Sequence, residues 1–295
     1  MTAALFSIVA PVFVCAGIGF AWERFGRRFD VEFVTTLVTA IGAPCLVFHT
    51  LTHLAVEPAT FAAMAAAAVG ALVVSAAVGG AVVVAAGLPL RAFLPPLIWP
   101  NSGNMGLPLN YLAFGDLGLG LAIAVFCVNA VSHFTLGVAI VSGGASLRDL
   151  ARVPVLYAVA LALGFLALGQ KPPDWIGNTT RLLGNLTIPM MLIALGVSLA
   201  RLGVRRIPRS LAFACLRLAM GFAAGVGLAW LLGFEGASRG VLILQTTMPA
   251  AVFNYLFAQR YGASPEEVAG IVVLSTALSF ATLPLLLWFV LQAPG

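Results

Sequence analysis

Charge is scarce in this sequence. Only 8% of its 295 residues are Asp, Glu, Lys or Arg, while 61% are hydrophobic; a soluble domain carries roughly 25% charged residues. The mean hydropathy is +1.07. So little polar cover cannot shield so much apolar surface from water, which excludes a soluble globule and makes lipid the solvent. Lysine is nearly absent, with Lys171 the sole example, so the basic charge is almost all arginine. With abundant Ala and Gly, that usage fits a GC-rich bacterial source. The arginines are spread over short connecting segments instead of one face, which argues against a nucleic-acid surface. Cysteine is sparse too. Cys15, Cys45, Cys127 and Cys215 all lie in apolar runs at no metal-ligand spacing. They read as packing residues, so neither a disulfide framework nor a metal site is expected. No cofactor motif is present, and no paired carboxylates or Ser–His set converge within the apolar runs, which disfavours an intramembrane enzyme.

Acidic residues are missing where a transported cation would need them. Glu23, Asp30, Glu32, Glu57, Asp116, Asp149, Asp174, Glu235, Glu266 and Glu267 all fall in loops or at the ends of apolar runs. A sodium ion could be held only by carbonyls and neutral side chains. An anion, conversely, would meet no buried repulsion.

What is present is a series of long apolar runs. Ten spans are expected, at about 3–22, 31–52, 60–87, 92–114, 118–142, 153–169, 176–199, 207–233, 237–260 and 266–291, most near the roughly 20 residues that cross a bilayer. Arg24, Arg27 and Arg28 follow the first run and no basic residue precedes it, so a cleaved signal is not expected. With the N-terminus outside, the inner loops hold Arg24, Arg27, Arg28, Arg91, Arg148, Arg152, Arg201, Arg205, Arg206, Arg209 and Arg260. The outer loops hold only Lys171 and Arg239. That asymmetry predicts both termini on the periplasmic side of a bacterial inner membrane.

Landmarks recur half a chain apart. Pro11-Val12 matches Pro154-Val155, Gly19-Phe20 matches Gly164-Phe165, Pro44 matches Pro189, and Pro100 matches Pro249. Ala130-x-Ser132 matches Ala277-x-Ser279. Residues 1–145 and 153–295 thus read as two five-span repeats, joined by about ten residues (143–152). An odd number of spans per repeat forces the second copy to insert upside down, an arrangement characteristic of secondary transporters.

Spans 4 and 9 carry the chemistry. Pro100 removes a backbone donor, Gly103 and Gly106 are expected to loosen the next turn, and Pro108 to break the ladder again. Between these breakers lie Asn101, Ser102 and Asn104. Span 9 repeats the device at Pro249, with Gln245, Thr246, Thr247, Asn254 and Tyr255 nearby. Unwound backbone survives at membrane depth only inside protein or beside a watery cavity. Two broken helices would bring their half-helix N-termini, with free N–H groups and partial positive charge, to one point that suits a carboxylate. Asn129 and His133, one turn apart in span 5, complete the candidate substrate site, His133 being the titratable group best placed to carry a proton. His49 reads as a structural hydrogen-bonder. Arg181 is expected to reach the outer interface, and Arg217, about a third of the way into span 8, to snorkel to the inner one. The stretches GFAAGVG (221–227) and GDLGLG (115–120) read as close helix packing.

The run PNSGNMGLPL resembles the first crossover of the auxin efflux carrier family, whose plant members show Pro-Asn followed by Met-Gly-x-Pro-Leu at this spacing. TTMPAAVFNYLFAQRYGASPEEVAG is similar to the second crossover, and GAPCLVFHTL to the proline-kinked span 2. The resemblance implies an all-α membrane fold of ten helices with 4 and 9 crossing, distantly like sodium–bile acid symporters. It further implies a scaffold of helices 1, 2, 6 and 7 that also forms a homodimer, and a transport domain of helices 3–5 and 8–10. Plant members carry a serine near the substrate where this chain has Val47, and many have a long middle loop that is absent here. The pattern is that of short-loop bacterial members described as malate or malonate permeases. The resemblance and the residues agree on an elevator-like secondary carrier of a small organic anion, embedded in lipid. A gated anion channel and a sodium-coupled organic-anion symporter are the alternatives.

Overall fold

In the computed structural model of the chain, residues 2–53, 57–143, 154–201 and 206–292 are described. Among them the protein is all helix, apart from one isolated β-bridge. Helix α1 (Thr2–Arg24) is followed by α2 (Val31–Leu37), whose start is capped by Asp30 accepting from the Phe33 amide at 2.9 Å. A π turn, Val38–Gly42, leads into α3 (Ala43–His53) just ahead of Pro44, where the missing proline donor loosens the ladder. Next come α4 (Pro58–Ala85), α5 (Leu90–Ile98), a π turn at Ser102–Gly106 and α6 (Leu107–Ser132). A third π turn, His133–Gly137, passes into α7 (Val138–Ser142). The second half contains α8 (Pro154–Ala167), α9 (Asp174–Asn185), α10 (Thr187–Arg201) and α11 (Ile207–Leu231). It ends in α12 (Gly236–Thr247), α13 (Val252–Tyr261) and α14 (Pro265–Gln292).

Seven helical stretches among the described residues are long and apolar enough to cross a membrane: Phe6–Arg24, Val31–His53, Pro58–Ala85, Ser102–Ser142, Asp174–Arg201, Ile207–Leu231 and Pro265–Gln292. The protein is a multi-pass membrane protein. The stretch Ser102–Ser142 runs to 41 residues, about 60 Å at 1.5 Å per residue and twice the roughly 30 Å of a hydrocarbon core. It is interrupted at Gly115, whose φ of 63° and ψ of −152° lie outside helical space. GDLGLG is therefore more than a packing stripe, because its first glycine supplies a backbone conformation that a side chain would strain. Broken α5, α12 and α13 each fall short of a full crossing, and α8 is a shorter apolar helix.

The helices pack in two groups. In one, α1 lies along α10, and α3 lies against α8 and α9. A side chain at Gly19 would strike the Ile193 carbonyl, and one at Gly196 the Ala16 carbonyl, so these glycines let two backbones touch. In the other group, α11 packs on α4, α12 and α14, while α6 packs on α4 and α12. Contacts between the groups are sparser and run mainly through the Ser102–Gly106 turn and α6. GFAAGVG is a packing surface as expected: Gly221 faces the Thr246 carbonyl, and Gly225 lies 2.9 Å from Ile243 Cα by the position its Cβ would take. The arginine-rich side is tied by ion pairs, Arg201 with Glu23 at 2.9 Å, and Glu267 with both Arg206 (3.3 Å) and Arg209. All four cysteines are free, and Cys215 faces outward.

Candidate functional site

The two proline breaks meet. Pro100 and Ala250 form an antiparallel bridge, in which the Asn101 amide donates to the Pro249 carbonyl at 2.7 Å and the Ala251 amide to the Trp99 carbonyl at 3.1 Å. Each break thus partners backbone groups of the other that no longer lie in a helix, which is how irregular chain survives when buried in protein. Trp99 is held by its indole N–H donating to Ser132 Oγ at 2.9 Å, and its carbonyl also accepts from Asn254 Nδ2 at 3.2 Å.

Arg217 corrects the expectation of snorkelling. It is 1% exposed, and its guanidinium donates to the carbonyls of Leu97 (2.7 Å), Thr246 (2.6 Å) and Met248 (3.3 Å). These carbonyls lie at the C-terminal ends of α5 and α12, where helices leave acceptors without partners and carry partial negative charge. One planar fork caps both half-helices at once. Among the described residues no carboxylate pairs with it.

On the other side of the bridge is a cavity of about 210 Å³. Asn101, Ser102, Asn104, Asn129 and His133 line it together with Pro100 and Gly103, so most of the candidate residues converge. The Ser102–Gly106 turn and α13 both begin at its wall, through Asn101–Asn104 and through Ala251 and Phe253. Asn101 is 4% exposed and its Nδ2 has no hydrogen-bond partner. The cavity's apolar lining includes Ala43, Phe126, Phe134, Val155, Met191 and Phe253, and Thr39 adds a hydroxyl that already donates to the Thr35 carbonyl at 2.7 Å. A second cavity, about 220 Å³, shares Asn104 and Phe253 with the first and extends past Thr35, Ser198 and Tyr255 to Arg201. A third, water-sized void lies behind the bridge. It is lined by Ser75, Thr246 and Arg217, and shares Pro100 and Asn129 with the first.

Two candidates stand outside the cavity lining. Pro249 spends its carbonyl on Asn101. Asn254 uses both ends of its amide, donating to Trp99 O and accepting from His133 Nε2 at 2.9 Å. His133 is clamped further by stacking on Trp99, with centroids 4.9 Å apart and planes 5° apart, and by the edge of Phe257 at 5.1 Å. The breakers also sort differently from expectation. The chain leaves the helix only at Trp99–Asn101, the next five residues form a π turn, and Pro108 follows that turn as Pro44 follows its own, its missing donor loosening the ladder without ending the helix. Gly106 faces the Gln245 side-chain amide, and a Cβ at Gly103 would come within 3.0 Å of the Phe126 ring, so both serve close approach. Outside the site, His49 has an unpartnered Nδ1 and stacks on His53 with centroids 4.1 Å apart. Arg181 is exposed.

Comparison with known proteins finds membrane transporters. The family model described as "Membrane transport protein" matches residues 139–288, just over half of the chain. An "Uncharacterized transporter" of Methanothermobacter thermautotrophicus is 30% identical over 194 residues, which cover 63% of each chain. A second, of Methanocaldococcus jannaschii, is 24% identical, covering 65% of this chain and 66% of the relative. The matches therefore span less than two thirds of the length of either archaeal relative. A "Putative malonate transporter" of Rhizobium meliloti is 25% identical over 277 residues, 87% of this chain and 86% of the relative.

Proposed function

The chain belongs to the membrane transport protein family, the auxin efflux carriers, and from that premise we propose that it is a secondary carrier whose bridged breaks bind a small organic anion through a carboxylate. The observation that carries the reading is the buried Asn101 Nδ2, without a partner, in the wall of a cavity where two helix segments begin. A buried amide donor left unsatisfied costs about 1–3 kcal/mol, and an oxyanion is the ligand that both it and the helix N-termini favour. The name of the Rhizobium relative supports a carboxylate.

In this reading the chain crosses the inner membrane ten times, as two inverted repeats of 1–145 and 153–295, with termini in the periplasm. The long stretch Ser102–Ser142 counts as half of span 4 followed by span 5, turning over at Gly115. Spans 4 and 9 then cross at the Pro100–Ala250 bridge. The looser packing between the helix groups supports an elevator, in which α4–α7 and α11–α14 move against a scaffold of α1–α3 and α8–α10; the scaffold is also the surface for a homodimer. The second cavity, running to Arg201 on the arginine-rich side, is the cytoplasmic approach.

The test is Asn101→Ala. Losing a hydrogen bond to a charged group removes about 1.5–3 kcal/mol, which is roughly a 10- to 150-fold weaker affinity for a small carboxylate by calorimetry. Protein yield and melting temperature should hold. Unchanged affinity would return Asn101 to a purely structural place in the break.

A further inference from the structure

The charges around the cavity determine the form in which the anion is bound. Among the described residues none of the side chains lining the 210 Å³ cavity carries a fixed charge. Its hydrogen-bonding side chains are Asn101, Ser102, Asn104, Asn129, His133 and Thr39, the last already donating to the Thr35 carbonyl at 2.7 Å; Phe126, Phe134, Val155, Met191 and Phe253 make up much of the rest. One residue away, through Pro100 and Asn129, sits Arg217, buried and without a carboxylate partner among the described residues. The site therefore offers a set of neutral polar groups and one buried cation.

We propose that the carrier accepts a single negative charge per cycle, so that a dicarboxylic acid enters only as its singly protonated monoanion. This rests on the reading of the cavity as a carboxylate site. One carboxylate takes the amide donors and is balanced by Arg217 across the bridge. A second, ionised, would find no further cation in the cavity lining, and a buried charge left unbalanced is neutralised before it is tolerated. Protonating it in advance costs only a factor of ten, about 1.4 kcal/mol, for each pH unit above its ionisation. Protonation is the cheaper route. The carboxylic acid so formed is a neutral group, which a cavity with so much apolar lining accommodates far better than a second anion.

The experiment is calorimetric titration of the purified full chain in nanodiscs with malonate and with monomethyl malonate, from about pH 6 to pH 8. The half-ester stays a monoanion over this range, and its affinity should stay within about twofold. Malonate affinity should fall by about tenfold per pH unit once the second carboxyl ionises. The half-ester also controls for titration of His133, which would change both ligands alike. Malonate affinity that is level or rises with pH, and exceeds that of the half-ester, would overturn the monoanion rule while leaving the carboxylate site standing. Failure of both ligands and of simple monocarboxylates to bind at any pH would overturn the carboxylate site, and this inference with it.

Discussion

Replacing Arg217 with Met keeps an unbranched apolar stem and removes the charged guanidinium. Three buried carbonyls, those of Leu97, Thr246 and Met248, then lose their donors, at roughly 1–3 kcal/mol for each unsatisfied group. Part of this is offset, because the cost of burying the cation disappears with it. A net loss of about 3–5 kcal/mol is expected, on the order of 10 °C in apparent melting temperature. The anion loses its balancing charge as well. At a separation on the order of 10 Å and an effective dielectric near 20, that attraction is worth about 1.7 kcal/mol, or roughly fifteenfold in affinity. Arg217→Lys separates the two effects: its ammonium keeps the charge but cannot reach three carbonyls with a planar fork. It should retain most of the affinity and only part of the stability. Thermal unfolding in nanodiscs, with and without a saturating carboxylate, reads both quantities. An Arg217→Met protein that melts with the wild type and binds the anion equally well would refute the capping argument and the charge argument together.

If both termini are periplasmic, a C-terminal alkaline phosphatase fusion is active and a C-terminal GFP fusion is dark; the opposite pattern would invert the topology. Gly221→Ala places a methyl against the Thr246 carbonyl and should cost about 1–3 kcal/mol of stability, whereas Gly227→Ala, with nothing within 4 Å, should leave the melting temperature unchanged. His133→Gln keeps a donor for Asn254 and removes the imidazole, so proteoliposome uptake of the half-ester, whose own charge is constant, should lose any pH dependence between about 5.5 and 7.5. A variant with the wild-type profile would make the ring a spacer between Trp99 and Asn254.

The breaks were legible because proline chemistry is local. Pro100 and Pro249 remove donors whatever surrounds them, and a polar run between breakers at membrane depth has few other uses. Asn101, Ser102, Asn104, Asn129 and His133 followed from that placement, and they do share one cavity. Asn254 was assigned to the ligand because sequence distance from Pro249 says nothing about which amide is already occupied. Arg217 was misjudged for a related reason. Its depth in span 8 suggested escape to the interface, yet the stronger constraint lay elsewhere in the chain. Two helices that end inside the protein leave carbonyls that must find donors. Arg181 and Arg217 are the arginines set well inside the expected spans, and counting acceptors as well as donors would have turned attention to them. Gly103 and Gly106 show the limit of reading glycine as flexibility, since what each admits is a neighbour, Phe126 and Gln245, that no local pattern announces.

The arrangement also explains how an anion site can be built without a lysine, an ion or an acid. α5 and α12 end on Arg217, and the Ser102–Gly106 turn and α13 begin at the cavity. Negative helix ends are thus gathered around the cation, and positive ends around the ligand. None of these charges depends on a bound metal, and the guanidinium stays protonated in proteins. The potential in the cavity is therefore a property of the fold. Under the proposed elevator, a mobile unit carrying one buried positive charge would move at a higher electrostatic cost when empty than when a monoanion neutralises it. Binding would then do more than load the carrier: it would remove the charge that opposes passage through the apolar interface with the proposed scaffold.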